Sequence, residues 1–194
     1  MGEDPRAARK AQRQALIETR LELPAATRAA ADQALASHLL ALLARLEPPS
    51  LGFCWPYRAE FDAREVVRQW LDAAPQRWAA LPVVGAAGTP MRWRRWDPQA
   101  LMPLDRYGIP FPAEGPDLHP ALLLVPCNGF DARGYRIGYG AGHFDRTLAA
   151  MRPRPLAVGI AYEHARLADT RPQAHDLPMD WLLTEAGAWP RQSK

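Results

Sequence analysis

The sequence predicts an α/β fold, a three-layer α/β/α arrangement around a mainly parallel sheet. Three observations predict it. Short apolar runs of strand length alternate with helical repeats along the chain. Residues 121–125 form a continuous apolar run bounded by prolines, the mark of a strand buried on both faces. No internal repeat or low-complexity tract interrupts the alternation, so strand–helix–strand units are the simplest assembly. A single domain spanning 1–194 is expected, and a chain of that length buries roughly 70% of its unfolded surface without staples.

The elements follow in order. Residues 6–23 read as an Arg-rich helix with Leu16, Leu21 and Leu23 as its main apolar residues, ended by Pro24. A second helix is expected over 27–46, because Leu35, Leu39, Leu42, Leu43 and Leu46 share one face. Pro48 and Pro49 stop it and lead into a strand at 51–55. Asp62 and Glu65 have capping-box spacing ahead of Val66, Val67, Trp70 and Leu71, which starts a third helix at Asp62. Strands are expected at 79–84 and 91–96, then an irregular stretch to Pro120, then the buried strand at 121–125. A helix at 144–151 and strands at 156–162 and 181–184 complete the chain. In parallel sheets ligands bind outside the carboxyl ends of the strands. The loops after Trp55, Val125 and Tyr162 are therefore where chemistry is expected.

Composition excludes several function classes. Twenty-four basic against 21 acidic residues give a net charge of +3, too small for a nucleic-acid coat. Lys10 and Lys194 are the only lysines, so nearly every cation is an arginine, a residue that forks onto phosphate or carboxylate. Two cysteines, Cys54 and Cys127, lie far apart, which argues against a cysteine zinc site and a disulfide scaffold. Cys127 reads as a small buried filler rather than a nucleophile. Residues 1–6 lack the apolar core of a signal peptide, and no run approaches a membrane span. A soluble, cytoplasmic monomer with no membrane or nucleic-acid partner is expected. The segment 91–96, where Arg and Trp interleave, could suggest a single-strand binder. A strand with one apolar and one charged face explains it more economically.

The chemistry concentrates in one loop. Gly138, Gly140 and Gly142 alternate with larger residues and run directly into a helix. Glycines let the backbone approach a ligand and turn several N–H groups toward one anion, and the helix N-terminus adds its dipole. Arg136 can clamp the same phosphate through its fork. Asp145, in the first helical turn, is placed to anchor Mg²⁺, which takes only one or two protein oxygens. The segment is neither a Walker A loop, since no Gly-Lys-Ser/Thr follows, nor the dinucleotide fingerprint.

The stretch Val125-Pro126-Cys127-Asn128-Gly129-Phe130-Asp131-Ala132-Arg133-Gly134-Tyr135-Arg136-Ile137-Gly138-Tyr139-Gly140-Ala141-Gly142-His143-Phe144-Asp145 resembles a family signature. The signature is that of the 5-formyltetrahydrofolate cyclo-ligases (5,10-methenyltetrahydrofolate synthetases), Val-Pro-Gly-x-x-Phe-Asp-x-x-Gly-x-Arg-Leu-Gly-x-Gly-x-Gly-Tyr-Tyr-Asp. The likeness extends to the first helix, the Glu60 segment, Tyr107-Gly108-Ile109-Pro110 and His175-Asp176-Leu177-Pro178-Met179-Asp180. It implies a fold related to the ribose-5-phosphate isomerase and CoA-transferase group. It also implies ATP-dependent cyclisation of 5-formyltetrahydrofolate to 5,10-methenyltetrahydrofolate, with release of ADP and phosphate through phosphorylation of the formyl oxygen. The ATP site so implied comprises Arg9, Lys10, Arg13, Arg136, Ile137, Gly138, Tyr139, Gly140, Ala141, Gly142, His143 and Phe144, with Arg136 and Tyr139 the catalytic pair. Asp145 and Asp176 are implied to hold Mg²⁺, with Asp180 a competitor to Asp176; Trp55, Glu60, Tyr139 and His143 are implied to face the folate. The chain departs from the signature at Cys127 for Gly, Ala141 for Gly or Lys, and His143-Phe144 for Tyr-Tyr. An alanine needing positive φ would cost of order 1 kcal/mol, and His143 would introduce a titration near neutrality. The alternative is a folate- or nucleotide-binding paralogue impaired in turnover by the altered loop.

Overall fold

A computed structural model describes residues 5–192; residues 1–4, weighed above as a leader, and Lys194 lie outside them. The order of elements is α1 (Pro5–Leu21), α2 (Ala25–Leu46), β1 (Ser50–Gly52), α3 (Arg64–Asp72), β2 (Trp78–Val83), β3 (Arg92–Arg95), β4 (Leu122–Pro126), β5 (Gly129–Phe130), β6 (Arg136–Ile137), α4 (His143–Ala150), β7 (Leu156–Ile160), β8 (Trp181–Thr184) and β9 (Gly187–Pro190). Seven strands form one sheet in the order β3-β2-β1-β4-β7-β8-β9. Its five inner strands are parallel, and the edge strands β3 and β9 are antiparallel to their neighbours. The α/β layering and mainly parallel sheet are those expected from the sequence.

Alternation along the strands sorts the core into two layers. Leu122 and Leu124 of β4 pack with Leu35, Leu39 and Leu43 of α2 and Val67 and Trp70 of α3. Leu123 and Val125 point the other way, toward Leu148 of α4 and Trp93 of β3, with Leu16 of α1 packed against the same layer. Period-2 side chains from a strand buried on both faces produce this division directly. Gly52 in β1 is required by packing: a Cβ there would lie 2.5 Å from Leu123 Cδ2 and 2.8 Å from the Trp93 ring. Trp93 and Trp96 are both buried, but in opposite layers of the core, so β3 does not carry the one apolar and one charged face expected of it; each tryptophan anchors the edge strand to a different layer.

Several boundaries differ from expectation for local reasons. Helix α3 begins at Arg64 rather than Asp62, yet Asp62 still caps it, its Oδ1 accepting the Arg64 N–H at 3.0 Å. Glu65 does not reach back; it binds Arg68 and Gln69 instead. Helix α2 starts two residues early at Ala25, since Ala25 and Ala26 are strong helix formers. The hairpin β5–β6 and the edge strand β9 were outside the expected set. Each is too short to show a period, and pairing across space defines them.

Candidate functional site

Strand order reverses between β1 and β4: β1 leads to β2 on one side, and β4 then starts the other half on the opposite side. Such a switch point opens a crevice at the carboxyl ends of the strands. A cavity lies there. Phe53 and Cys54 line it from the end of β1, Asn128 from the end of β4, and Ala161 and His164 from the end of β7. These are the three loops the sequence singles out. Its volume is about 40 Å³, room for on the order of three waters, and it is partly open to solvent. Arg20 and Leu16 of α1 close one side, and Glu60 another.

The glycine loop runs beside this cavity under α1. Gly140 has φ +94° and Gly142 φ +65°, left-handed conformations that glycine adopts at little cost. Ala141 is not among the residues with positive φ, so alanine is unstrained at that position. Arg13 lays its guanidinium over Gly140, where a Cβ would sit 3.0 Å from Nη1, and its Nε donates to the Gly138 carbonyl at 2.6 Å. Arg9 donates to the Arg136 carbonyl and pairs with Asp176 at 2.8 Å. Burial and the neighbouring Arg9 hold the Arg13 pKa below its ordinary value, and Arg13 has no carboxylate partner among the described residues. An anion arriving at the loop would relieve that crowding. Lys10 is exposed and forms no ion pair or side-chain hydrogen bond among the described residues.

The carboxylates expected to bind metal meet around Leu177. Asp145 Oδ2 pairs with Arg136 Nη2 at 3.0 Å, and its Oδ1 accepts the Leu177 N–H. Arg136 also donates to the Leu177 carbonyl, and Asp176 precedes that residue in the chain. Asp176 Oδ2 additionally accepts the Gln173 N–H. The structure thus brings Arg9, Arg136, Asp145 and Asp176 into one network of alternating charge. Among the described residues no group of three or more His, Cys, Asp or Glu side chains converges as a metal cage. Two carboxylates are the complement that Mg²⁺ takes when phosphate and water supply its other oxygens, so the donor set fits that ion.

The remaining half of the site centres on Tyr139, between Gly138 and Gly140. Its hydroxyl donates to Glu60 Oε1 at 2.8 Å and accepts from Arg20 Nη2 at 3.0 Å. Burial, then the Glu60 charge, raise the phenol pKa above its ordinary value. Burial likewise raises the Glu60 carboxyl, against the Tyr139 hydroxyl, the Arg20 charge and the Tyr57 amide. Asn128 is buried; its Oδ1 accepts from Arg20, which leaves Nδ2 on the cavity wall a donor without a partner among the described residues. Tyr57 packs edge-on against Tyr139, with centroids 5.7 Å apart. Trp55 is half-buried with the Arg64 guanidinium 4.2 Å over its ring, and it does not line the cavity.

His143 opens α4 behind Gly142. Burial, then Arg146 and Arg106, lower its pKa, so it is neutral at pH 7. Phe144 packs between Trp93 and Arg136. Ile137 is buried. Cys127 is buried with its thiol pushed up to about 12, which makes it the packed filler expected from sequence. Arg20 and Asn128 escape sequence reasoning. Arg20 is one arginine among many on an Arg-rich helix, and Asn128 sits at a variable place in the signature; only long-range contact distinguishes them.

Comparison with known proteins identifies the family and the fold. A family model described as the 5-formyltetrahydrofolate cyclo-ligase family matches residues 5–185. A relative from Mycolicibacterium smegmatis named 5-formyltetrahydrofolate cyclo-ligase is 27% identical over 183 residues, covering 89% of this chain and 91% of that protein. One of the same name from Haemophilus influenzae is 23% identical, covering 84% and 90%. Among solved structures, the Aquifex aeolicus 5,10-methenyltetrahydrofolate synthetase superposes with a TM-score of 0.82 at 24% identity, covering 96% of this chain and 94% of that one. A Mycoplasma pneumoniae 5,10-methenyltetrahydrofolate synthetase gives 0.73 at 20% identity, over 91% and 98%. With a fold shared across its length and the match running through both halves of the site, the chain belongs to the 5-formyltetrahydrofolate cyclo-ligase family.

Proposed function

We infer that this chain cyclises 5-formyltetrahydrofolate to 5,10-methenyltetrahydrofolate, using ATP and releasing ADP and phosphate. The observation that carries the reading is Tyr139. It stands in the middle of a cationic glycine loop and its hydroxyl reaches Glu60 in the neighbouring cavity. One hydrogen bond therefore joins the glycine loop to a pocket whose mainly apolar wall carries Arg20, Glu60 and Asn128, as a reaction between a nucleotide and a flat heterocycle requires. The formamide oxygen is a poor leaving group. Transfer of the γ-phosphoryl of ATP converts it to a phosphate ester, N10 attacks the formyl carbon, and phosphate departs as the ring closes. Chemistry of this kind needs positioning and charge neutralisation more than a protein nucleophile.

The residues divide the work accordingly. Arg9, Arg13 and Arg136 neutralise the phosphates, and the main chain of Gly138, Gly140 and Gly142 admits them closely. Ala141 stands between the two left-handed glycines, Ile137 and Phe144 pack into the core beneath them, and Lys10 joins this site by the family pattern. Asp145 and Asp176 would hold Mg²⁺, which supplies charge neutralisation at the phosphates when bound. Glu60 accepts two hydrogen bonds from the amino-pyrimidinone edge, Tyr139 and His143 present flat rings to the folate, and Trp55 flanks the entrance. Arg136, beside the glycine loop, and Tyr139, within it, are the catalytic pair on this reading.

A second reading, a binding paralogue slow in turnover, is favoured by one feature: the departures from the signature at Ala141, His143 and Phe144 cluster in this loop. One assay separates the two. Mixing protein, MgATP and 5-formyltetrahydrofolate should produce methenyl absorbance with multiple turnovers. Ligand binding without that absorbance rejects the enzyme reading. Asp145→Ala should cut Mg-dependent turnover by at least about 100-fold, and unimpaired turnover would remove Asp145 from the metal site.

A further inference from the structure

Arg20 is spent in an unusual way. It lies about two helical turns beyond Arg13 on the same face of α1, and only 4% of it is exposed. Each guanidinium nitrogen has its own acceptor at 3.0 Å: Nε donates to the Arg58 carbonyl, Nη1 to Asn128 Oδ1, Nη2 to the Tyr139 hydroxyl. No carboxylate lies within ion-pair distance of it among the described residues, so this buried cation reaches a negative charge only through Tyr139, at Glu60. Desolvating a guanidinium without a direct counterion is costly. Anchoring α1 does not call for it, because Leu16 and Ile17 already supply apolar contacts on that face.

The acceptors explain the expense. Arg58 and Ala59 have φ +50° and +61°, left-handed conformations that non-glycine residues adopt only when their surroundings over-determine them. That turn ends at Glu60, whose N–H donates to the Tyr57 carbonyl and whose Oε2 accepts the Tyr57 N–H at 3.0 Å. Arg20 therefore grips both the strained turn that aims Glu60 and the phenol that binds it. A planar fork with donors in three directions can do so; a lysine point charge cannot.

We propose that Arg20 is the positioning residue of the substrate half of the site, joining the Arg58 carbonyl, Asn128 and Tyr139 so that the Glu60 carboxylate is fixed for a pyrimidinone edge. The proposal rests on the reading that Glu60 and Tyr139 face the folate. Arg9 and Arg13 serve the glycine loop from the same helix, so loss of Arg20 acts on folate and spares the nucleotide.

The test is calorimetric binding of 5-formyltetrahydrofolate and, separately, of ATP to the full chain, Arg20→Lys, Tyr139→Phe and the double variant. Arg20→Lys should weaken folate binding by about tenfold, as expected for losing buried charged hydrogen bonds, and change ATP affinity by less than about twofold. Folate KM should rise with it while kcat changes by less than about threefold, and the two substitutions should be strongly sub-additive, as for residues acting in one network. Unchanged folate affinity, equal losses for both ligands, or losses that simply multiply would overturn the proposal. If Arg20→Lys does not fold, the wild-type chain serves: the Arg20 Nε–H resonance should shift with folate and not with ATP, and the reverse pattern overturns it. Wild-type protein that binds folate without turnover sinks the cyclo-ligase reading and leaves Arg20 to be judged on binding. Wild-type protein that binds no folate overturns both.

Discussion

His143 shows how a residue's surroundings rewrite what its identity suggests. Its ring nitrogen Nδ1 is buried without a partner, and Arg146 and Arg106 add positive charge nearby. Both effects oppose protonation, so the titration expected near neutrality moves below the ordinary histidine value of about 6.5. The folded state then binds fewer protons than the unfolded state just below about pH 6.5, and stability contributed at higher pH is lost as pH falls through the lowered pKa. His143→Tyr should give a pH–rate profile superimposable on wild type between about pH 7 and 8, with the two diverging only at lower pH. A divergence centred near pH 7 in parallel rate measurements would refute this assignment. Ala141 is a departure from the signature that the backbone explains: the left-handed positions in the loop fall on Gly140 and Gly142, so the residue between them is free to be alanine.

At the level of elements, helix ends are where sequence and structure part. Helix α2 terminates on Glu47, at φ 45° and ψ 46°, with its N–H donating to the Leu43 carbonyl. A non-glycine residue in that conformation is strained, and a negative side chain at a helix C-terminus opposes the dipole. Glu47→Gly should stabilise the fold by about 0.5–1 kcal/mol after the added freedom of the unfolded chain is counted. For a chain of this length that is a rise in Tm of about 2 °C, measurable by calorimetry; a lower Tm would show that the turn into Pro48 tolerates glutamate without strain. At the N-terminus of α3, Asp62 caps from outside the helix it was expected to begin. Edge strand β9 has no pattern of its own in Gly187-Ala188-Trp189-Pro190 and exists because β8 offers it a ladder.

At the scale of the whole molecule the site is an assembly of distant parts, and its two halves should report on each other through stability. The cavity of about 40 Å³ is far smaller than the roughly 300 Å³ and more of typical ligand pockets, so on the proposed function folate binding would open the contacts that line it. A ligand at a hundred times its Kd adds about 2.7 kcal/mol. Saturating MgATP and 5-formyltetrahydrofolate should therefore each raise the Tm by several degrees; a Tm unmoved by both would mean that the folded chain holds neither. Sequence by itself determined the layered α/β order, the burial of 121–125, and the three strand-end loops that meet at the cavity, because side-chain period, prolines and glycines are local signals. The long signature likewise identified the glycine loop with Arg136 and Asp145. Only the tertiary structure decided which arginines reach the glycine loop and what Tyr139 touches. Arg20 and Asn128 are 108 residues apart, and Arg20 and Tyr139 are 119 apart. No local pattern encodes a contact of that span; it arises when α1 packs across the carboxyl ends of a sheet whose strands come from the rest of the chain.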